Sequence, residues 1–93
     1  MKRLDLIIPE LELERICRTL RDAGVSGYSV MRHVTGYGTA GVVSEGLEVS
    51  GTGANAHVIV FCEPALLDTL RAGLRPLLST YGGVAFVGDA DPL

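Results

Sequence analysis

Lysine occurs once, at position 2, tryptophan is missing altogether, and residues 35–53 carry no basic side chain. The remaining basic residues are scattered through a chain of net charge −3, so the concentrated positive surface that nucleic acid or an anionic bilayer requires is lacking. Neither is an expected partner. No apolar run approaches the roughly 20 residues of a membrane span, and Pro9 and Glu10 break MKRLDLII before it reaches the length of a signal peptide. A cytoplasmic protein with no direct membrane insertion is expected. Cysteine is scarce too: Cys17 and Cys62 could form one bridge, but two thiols in such a chain read as free core residues.

A catalytic set is also missing. Nothing pairs a nucleophile with a positioned base, places two carboxylates for acid and base work, or forms a P-loop. An acylphosphatase-like enzyme would need an arginine-bearing phosphate loop after its first strand, where this chain has Pro9 and Glu10. An enzyme is therefore not expected.

What the chain does have is length for one domain and an excess of apolar residues. Ninety-three residues close a single core. An apolar fraction of 47% against 20% charged leaves more hydrophobic surface than so small a core absorbs, and part of it is expected to face another subunit. Leu4, Leu6 and Ile8 recur at period two and predict a strand over 3–8. Leu13, Ile16, Cys17, Leu20 and Ala23 then recur at three and four, which predicts an amphipathic helix over 10–23, with Glu10, Glu12 and Glu14 at its positive end and Gly24 as its stop.

Tyr28, Val30, Arg32 and Val34 alternate with Ser29, Met31 and His33, so 27–34 reads as an edge strand with one face more apolar than the other. Residues 35–53 follow, with six glycines, as a loop longer than the about 12–15 residues that compact domains usually tolerate without a functional reason. HVIVFC, 57–62, reads as a central strand covered on both faces. Pro64 opens a second helix through Leu67, Leu70, Leu74 and Leu77, expected to end near Leu74 or to kink at Pro76. Gly82 and Gly83 precede a last strand over 84–87. The order gives an α+β, ferredoxin-like βαββαβ sandwich, an antiparallel four-stranded sheet with both helices on one face and the second and fourth strands at its edges. Exposed edges favour closed symmetric assembly.

MKRLDLII, the helix after it and GVSGYSV at 24–30 resemble the opening of the PII signal-transduction superfamily. TGYGTAG, at 35–41, is similar to the KGFG segment that opens the family's T-loop, the long loop with which its members engage targets. The ending departs from nitrogen-regulatory PII proteins, which carry a TGxxGDGK loop there. STYGGVAFVGDAD, 79–91, is similar instead to the PII-like regulators found with bicarbonate transporters and carboxysomes. No C-terminal cysteine pair of the cyanobacterial type is present, nor is the uridylylated loop tyrosine.

The resemblance implies a homotrimer that binds an adenine nucleotide, and in some members bicarbonate, in clefts between subunits. It implies nucleotide contacts at Ser29, Val30, Gly36, Tyr37, Gly38, Gly82, Gly83 and Val84. Thr39, Ala40, Gly41, Val42, Val43 and Glu45 would form the partner-binding loop, directed at a membrane transporter or another carbon-concentrating component. Taken alone, Gly36 and Gly38 are loop punctuation, Gly82 and Gly83 a turn, Ser29 an outward polar residue, and Tyr37 a packing residue at the loop base.

Phosphate recognition recruits cations, because charge-assisted contacts are about twice as strong as neutral ones. The shortage of lysine and arginine here favours AMP, ADP or bicarbonate over ATP. Arg32 is the nearest candidate cation, against a reading as a solvated or ion-paired edge residue. His33 and His57 flank the loop and could form a pH-sensitive or metal-binding pair. That pair, with Cys62, is the basis of an alternative, a metal-binding trimer like the divalent-ion tolerance protein CutA. A second alternative is a scaffold subunit with no ligand.

Overall fold

The computed structural model describes residues 1–38, 41–43 and 54–93, and its first strand, β1, runs Lys2–Pro9. A short 3-10 turn at Glu10–Glu12 leads into α1 (Leu13–Asp22), followed by β2 (Ser29–Val34), β3 (Gly36–Gly38), β4 (Gly41–Val43), β5 (Asn55–Cys62), α2 (Leu67–Tyr81) and β6 (Val84–Asp89). The main sheet has the order β2-β5-β1-β6 and every pairing in it is antiparallel. This is the expected ferredoxin-like fold, with β2 and β6 as its edges.

Strand alternation places the core. Leu4, Leu6 and Ile8 of β1 and Ala56, Val58, Val60 and Cys62 of β5 are buried on one face, where they meet Ile16 and Leu20 of α1 and Leu70 and Leu74 of α2. The opposite face carries Arg3, Asp5 and Ile7 beside His57, Ile59 and Phe61, with Met31 of β2 and Val84 and Phe86 of β6 flanking them in register. HVIVFC is therefore not covered on both faces within the chain. His57 and Ile59 lie on the open face, and Phe61 is 46% exposed there. Cys17 and Cys62 are both buried and free.

Of the two expectations for the second helix, the end near Leu74 is overturned, because α2 runs through Pro76 to Tyr81. Proline costs a helix interior about 3 kcal/mol through a lost hydrogen bond and a ring clash. Leu77 and Leu78 pack against the core beyond it. Burial of a leucine is worth about 1.5–3 kcal/mol when complete, so two partly buried leucines offset the proline. Gly73, three residues earlier, faces α1 so closely that a Cβ there would sit 2.8 Å from Thr19 Cγ2. Thr19 cannot turn that methyl away cheaply, because its hydroxyl donates to the Arg15 carbonyl at 3.0 Å.

Helix propensity favours alanine over glycine by about 1 kcal/mol, yet Gly73→Ala should destabilise the protein by roughly 1 kcal/mol, because overpacking outweighs that gain. In a Thr19→Ser background, where the obstructing methyl is gone, the same substitution should turn neutral or stabilising. Urea unfolding of the four proteins of this cycle measures both signs.

The open face holds one charged cluster among its apolar residues. Arg3 donates to Asp5 through Nε at 2.9 Å and Nη2 at 3.0 Å, and His57 Nε2 lies 2.8 Å from Asp5 Oδ1. An ionised carboxylate only accepts, so the ring nitrogen is the donor. The Arg3 hydrogen bonds, aided by His57, hold the Asp5 carboxyl below its ordinary pKa. The stability this contributes is present above the unfolded-state value of about 3.9 and is lost as the pH falls through the folded value. Asp5→Asn should cost about 1 kcal/mol or less at pH 7, since the pair is partly solvated. Unfolding curves for the two proteins should converge as the pH falls below the unfolded-state value of about 3.9 and on through the lower folded one.

Candidate functional site

The residues expected to contact a ligand fall into two groups that the fold holds apart. Ser29 and Val30 open β2 at one edge of the sheet, and the chain leaves the far end of that strand for β3. Gly82, Gly83 and Val84 join α2 to β6 at the other edge. The register Val30, Val58, Leu6, Ala85 runs straight across the sheet. With neighbouring strands about 4.8 Å apart, three spacings separate the edges by about 14 Å.

Within the first group the placements differ. Ser29 is exposed and lines a depression of about 230 Å³ with Ser26, Gly27, Tyr28, Ile59 and Phe61. The Val30 side chain turns the other way and packs against the core, so only its edge backbone is available. Gly36, Tyr37 and Gly38 form β3, paired with β4 so that Gly36 faces Val43, Tyr37 faces Val42 and Gly38 faces Gly41. The opening of the expected loop is thus a two-stranded sheet, consistent with the strand preference of tyrosine and valine. Tyr37 does not pack at the loop base. It is 87% exposed. Gly41, Val42 and Val43 lie in β4, whereas Thr39, Ala40 and Glu45 fall outside the described residues.

The second group is shaped by backbone demands. Gly82 caps α2, its N–H donating to the Leu78 carbonyl at 2.9 Å, with φ of +90°. Gly83 has φ of +118°, and a Cβ there would sit 2.9 Å from the Ile7 carbonyl oxygen and 3.0 Å from Ile8 Cγ2. The turn reading of this pair accounts for both glycines without any ligand. Gly36 and Gly38 are different: neither has positive φ, and no described atom lies within 4 Å of a Cβ built on them. Nothing described in the chain itself calls for glycine at these two positions.

Most cations are already engaged. Lys2 pairs with Asp89, Arg15 with Glu12, Arg18 with Glu14 and Arg71 with Asp68. Arg21 donates to the Tyr28 hydroxyl at 2.6 Å. Arg32, the expected phosphate candidate, lies 3.5 Å from Glu10 Oε1. Arg75 borders an apolar groove of about 270 Å³ between α2 and β6, with Arg71, Leu4, Leu74, Leu78 and Val87. The histidines do not form a pair, since His57 contacts Asp5 and His33 contacts Glu10. Among the described residues no group of three or more His, Cys, Asp or Glu side chains could hold a metal, and no helix is long and apolar enough to cross a membrane.

A family model, nitrogen regulatory protein P-II, matches residues 1–92. The chain belongs to the PII family. PII proteins are regulatory signalling proteins and are generally trimers. Among solved structures, this PII chain is similar to CPII, a nitrogen regulatory PII-like protein from Thiomonas intermedia K12, bound to ADP, AMP and bicarbonate. The two are 28% identical, with 96% of this chain and 84% of CPII covered and a TM-score of 0.85. The apo form of CPII is matched at 26% identity over 96% of this chain and 87% of that one, with a TM-score of 0.76. A putative PII-like signalling protein from Thermus thermophilus shares the fold at 17% identity, covering 94% and 83% of the chains, with a TM-score of 0.71. No curated protein matches this chain.

Proposed function

We propose that this PII protein is a cytoplasmic homotrimer that binds an adenine nucleotide, bicarbonate or both in clefts between its subunits. Through residues 35–53 it would control a partner in inorganic-carbon uptake, a membrane transporter or a carboxysome-associated component. The observation that carries the reading is the division of the candidate groups between opposite edges of the sheet. One chain holds Ser29 and the Gly36–Gly38 strand on one side and Gly82–Val84 on the other, so two chains meeting edge to edge bring complementary halves together. The open sheet face, with Met31, Phe61, Val84 and Phe86 all at least 44% exposed, supports such assembly, because a monomer rarely leaves an apolar face of this kind bare.

The ligand class follows from charge and likeness. CPII binds ADP, AMP and bicarbonate, and the engagement of most cations with carboxylates in this chain favours a ligand with fewer charges than ATP. The open backbone around Gly36 and Gly38 leaves room for a ligand to approach the main chain closely. Control through the loop then requires that the ligand bind one loop state better than another, with about 1.4 kcal/mol for each tenfold shift in population.

Hydrogen exchange over residues 35–53 with and without saturating ADP and bicarbonate tests this directly. Protection that rises with ligand supports the proposal. Exchange that stays the same under saturation would sink it.

A further inference from the structure

We propose that Glu10 is the positioning residue that ties both stems of segment 35–53 to the start of the first helix. Sequence alone assigns Glu10 to the positive end of α1, where an acidic side chain is commonplace. Its carboxylate goes elsewhere. β2 and β5 lose register between Met31 and Val34, so three steps along β2 match only two along β5, from His57 to Asn55. A bulge of this kind interrupts the hydrogen-bond ladder between the strands. His33 sits in it with φ of +59°, the one non-glycine residue with positive φ among the described residues.

Glu10 Oε1 accepts from the His33 backbone N–H at 2.9 Å and lies 3.5 Å from both Arg32 Nε and His33 Nδ1. The Glu10 side chain is only 18% exposed, which strengthens such contacts relative to a solvated pair. Its backbone N–H reaches the other stem, donating to the Ala54 carbonyl at 3.1 Å immediately before β5. One residue therefore grips the strand that enters the segment and the strand that leaves it. The left-handed step at His33 sets the direction in which the chain departs from β2, and the carboxylate holds that step in place.

This inference rests on the loop-coupled sensing proposed above, and its test separates the two. Amide exchange is followed in the ligand-free full-length protein for wild type, Glu10→Ala and Glu10→Gln, with core amides of β1 and β5 as the reference for global stability. In Glu10→Ala the His33 amide should exchange about tenfold faster or more, the order expected when one charge-assisted hydrogen bond is lost, while the core amides keep their rates. Glu10→Gln keeps an acceptor for that amide and should stay within about threefold of wild type, tracking the neutral hydrogen bond that remains. ADP affinity, measured by calorimetry on the same proteins, should fall several-fold in Glu10→Ala.

An unchanged His33 amide in Glu10→Ala overturns the proposal. So does wild-type ADP affinity in a Glu10→Ala protein whose His33 stem has loosened, which would leave the Glu10 side chain a purely structural tie. If wild type itself binds no ADP, the sensing reading fails, and the ligand-free exchange still decides whether the Glu10 carboxylate holds the His33 stem.

Discussion

Phe86→Lys is expected to yield a folded monomer that no longer binds ADP. Phe86 is 67% exposed at the edge strand β6, so the isolated subunit loses little packing when the ring is removed. Lysine is chosen because Asp5 lies directly opposite in the register, and an opposite-charge cross-strand pair is worth about 0.2–1 kcal/mol to the subunit. In an assembly that buries the open face, the same ammonium is taken out of water in every copy, at a cost of several kcal/mol for each ion. Light scattering should then report a single chain of 9.8 kDa in place of a trimer. ADP binding should vanish with assembly even though every candidate contact remains in the sequence, since Ser29 and Gly82–Val84 stand on opposite edges. A monomer that still binds ADP would place the whole site within one chain.

Gly83→Ala should lower stability by about 3 kcal/mol, or roughly 15 °C in a domain of this size. Two costs add: the backbone at φ of +118° is one that side chains rarely adopt, and the new methyl group meets the Ile7 carbonyl at 2.9 Å and Leu78 Cδ2 at 3.1 Å. Gly36→Ala is the control. It meets no described atom and needs no unusual backbone, so its Tm should match wild type within about 2–4 °C, the shift for a surface change of up to 0.5 kcal/mol. If the space at Gly36 is kept for a ligand, ADP affinity falls in Gly36→Ala while stability stays. Thermal melts at one fixed protein concentration, paired with ADP titrations, separate a glycine required by the fold from one kept open for a ligand.

The contrast between these glycines shows where the sequence is informative and where it stops. Period-two runs at Leu4–Ile8 and the three-and-four spacing of Leu13, Ile16 and Leu20 make β1 and α1 legible, because burial of one face dictates the pattern. α2 was legible further than Pro76 suggested, since Leu77 continues the spacing of Leu67, Leu70 and Leu74. The bulge in β2 also left a trace. Strict alternation from Val30 to Val34 would turn Arg32 inward, and an arginine at an inward position is a sign that the register breaks there.

Other features had no local signal. The pairing of β3 with β4 joins two short segments, and the grip of Glu10 on His33 joins positions 23 residues apart. The family resemblance supplied the candidate residues, and their division between two sheet edges follows from the element order, which already placed the second and last strands at the edges. HVIVFC looked buried on both faces because Ile59 and Phe61 are apolar. Within the chain one of those faces is open, and the apolar residues on it are explained by the assembly proposed here.

The most direct measurement is calorimetry of the purified protein against AMP, ADP, ATP and cyclic AMP, each with and without bicarbonate. Saturable binding of AMP or ADP at about one ligand per chain, tighter than ATP and altered by bicarbonate, is the result expected of a trimer with one intersubunit cleft for each copy. No binding of any nucleotide under either condition would contradict the account and leave a scaffold subunit as the better reading.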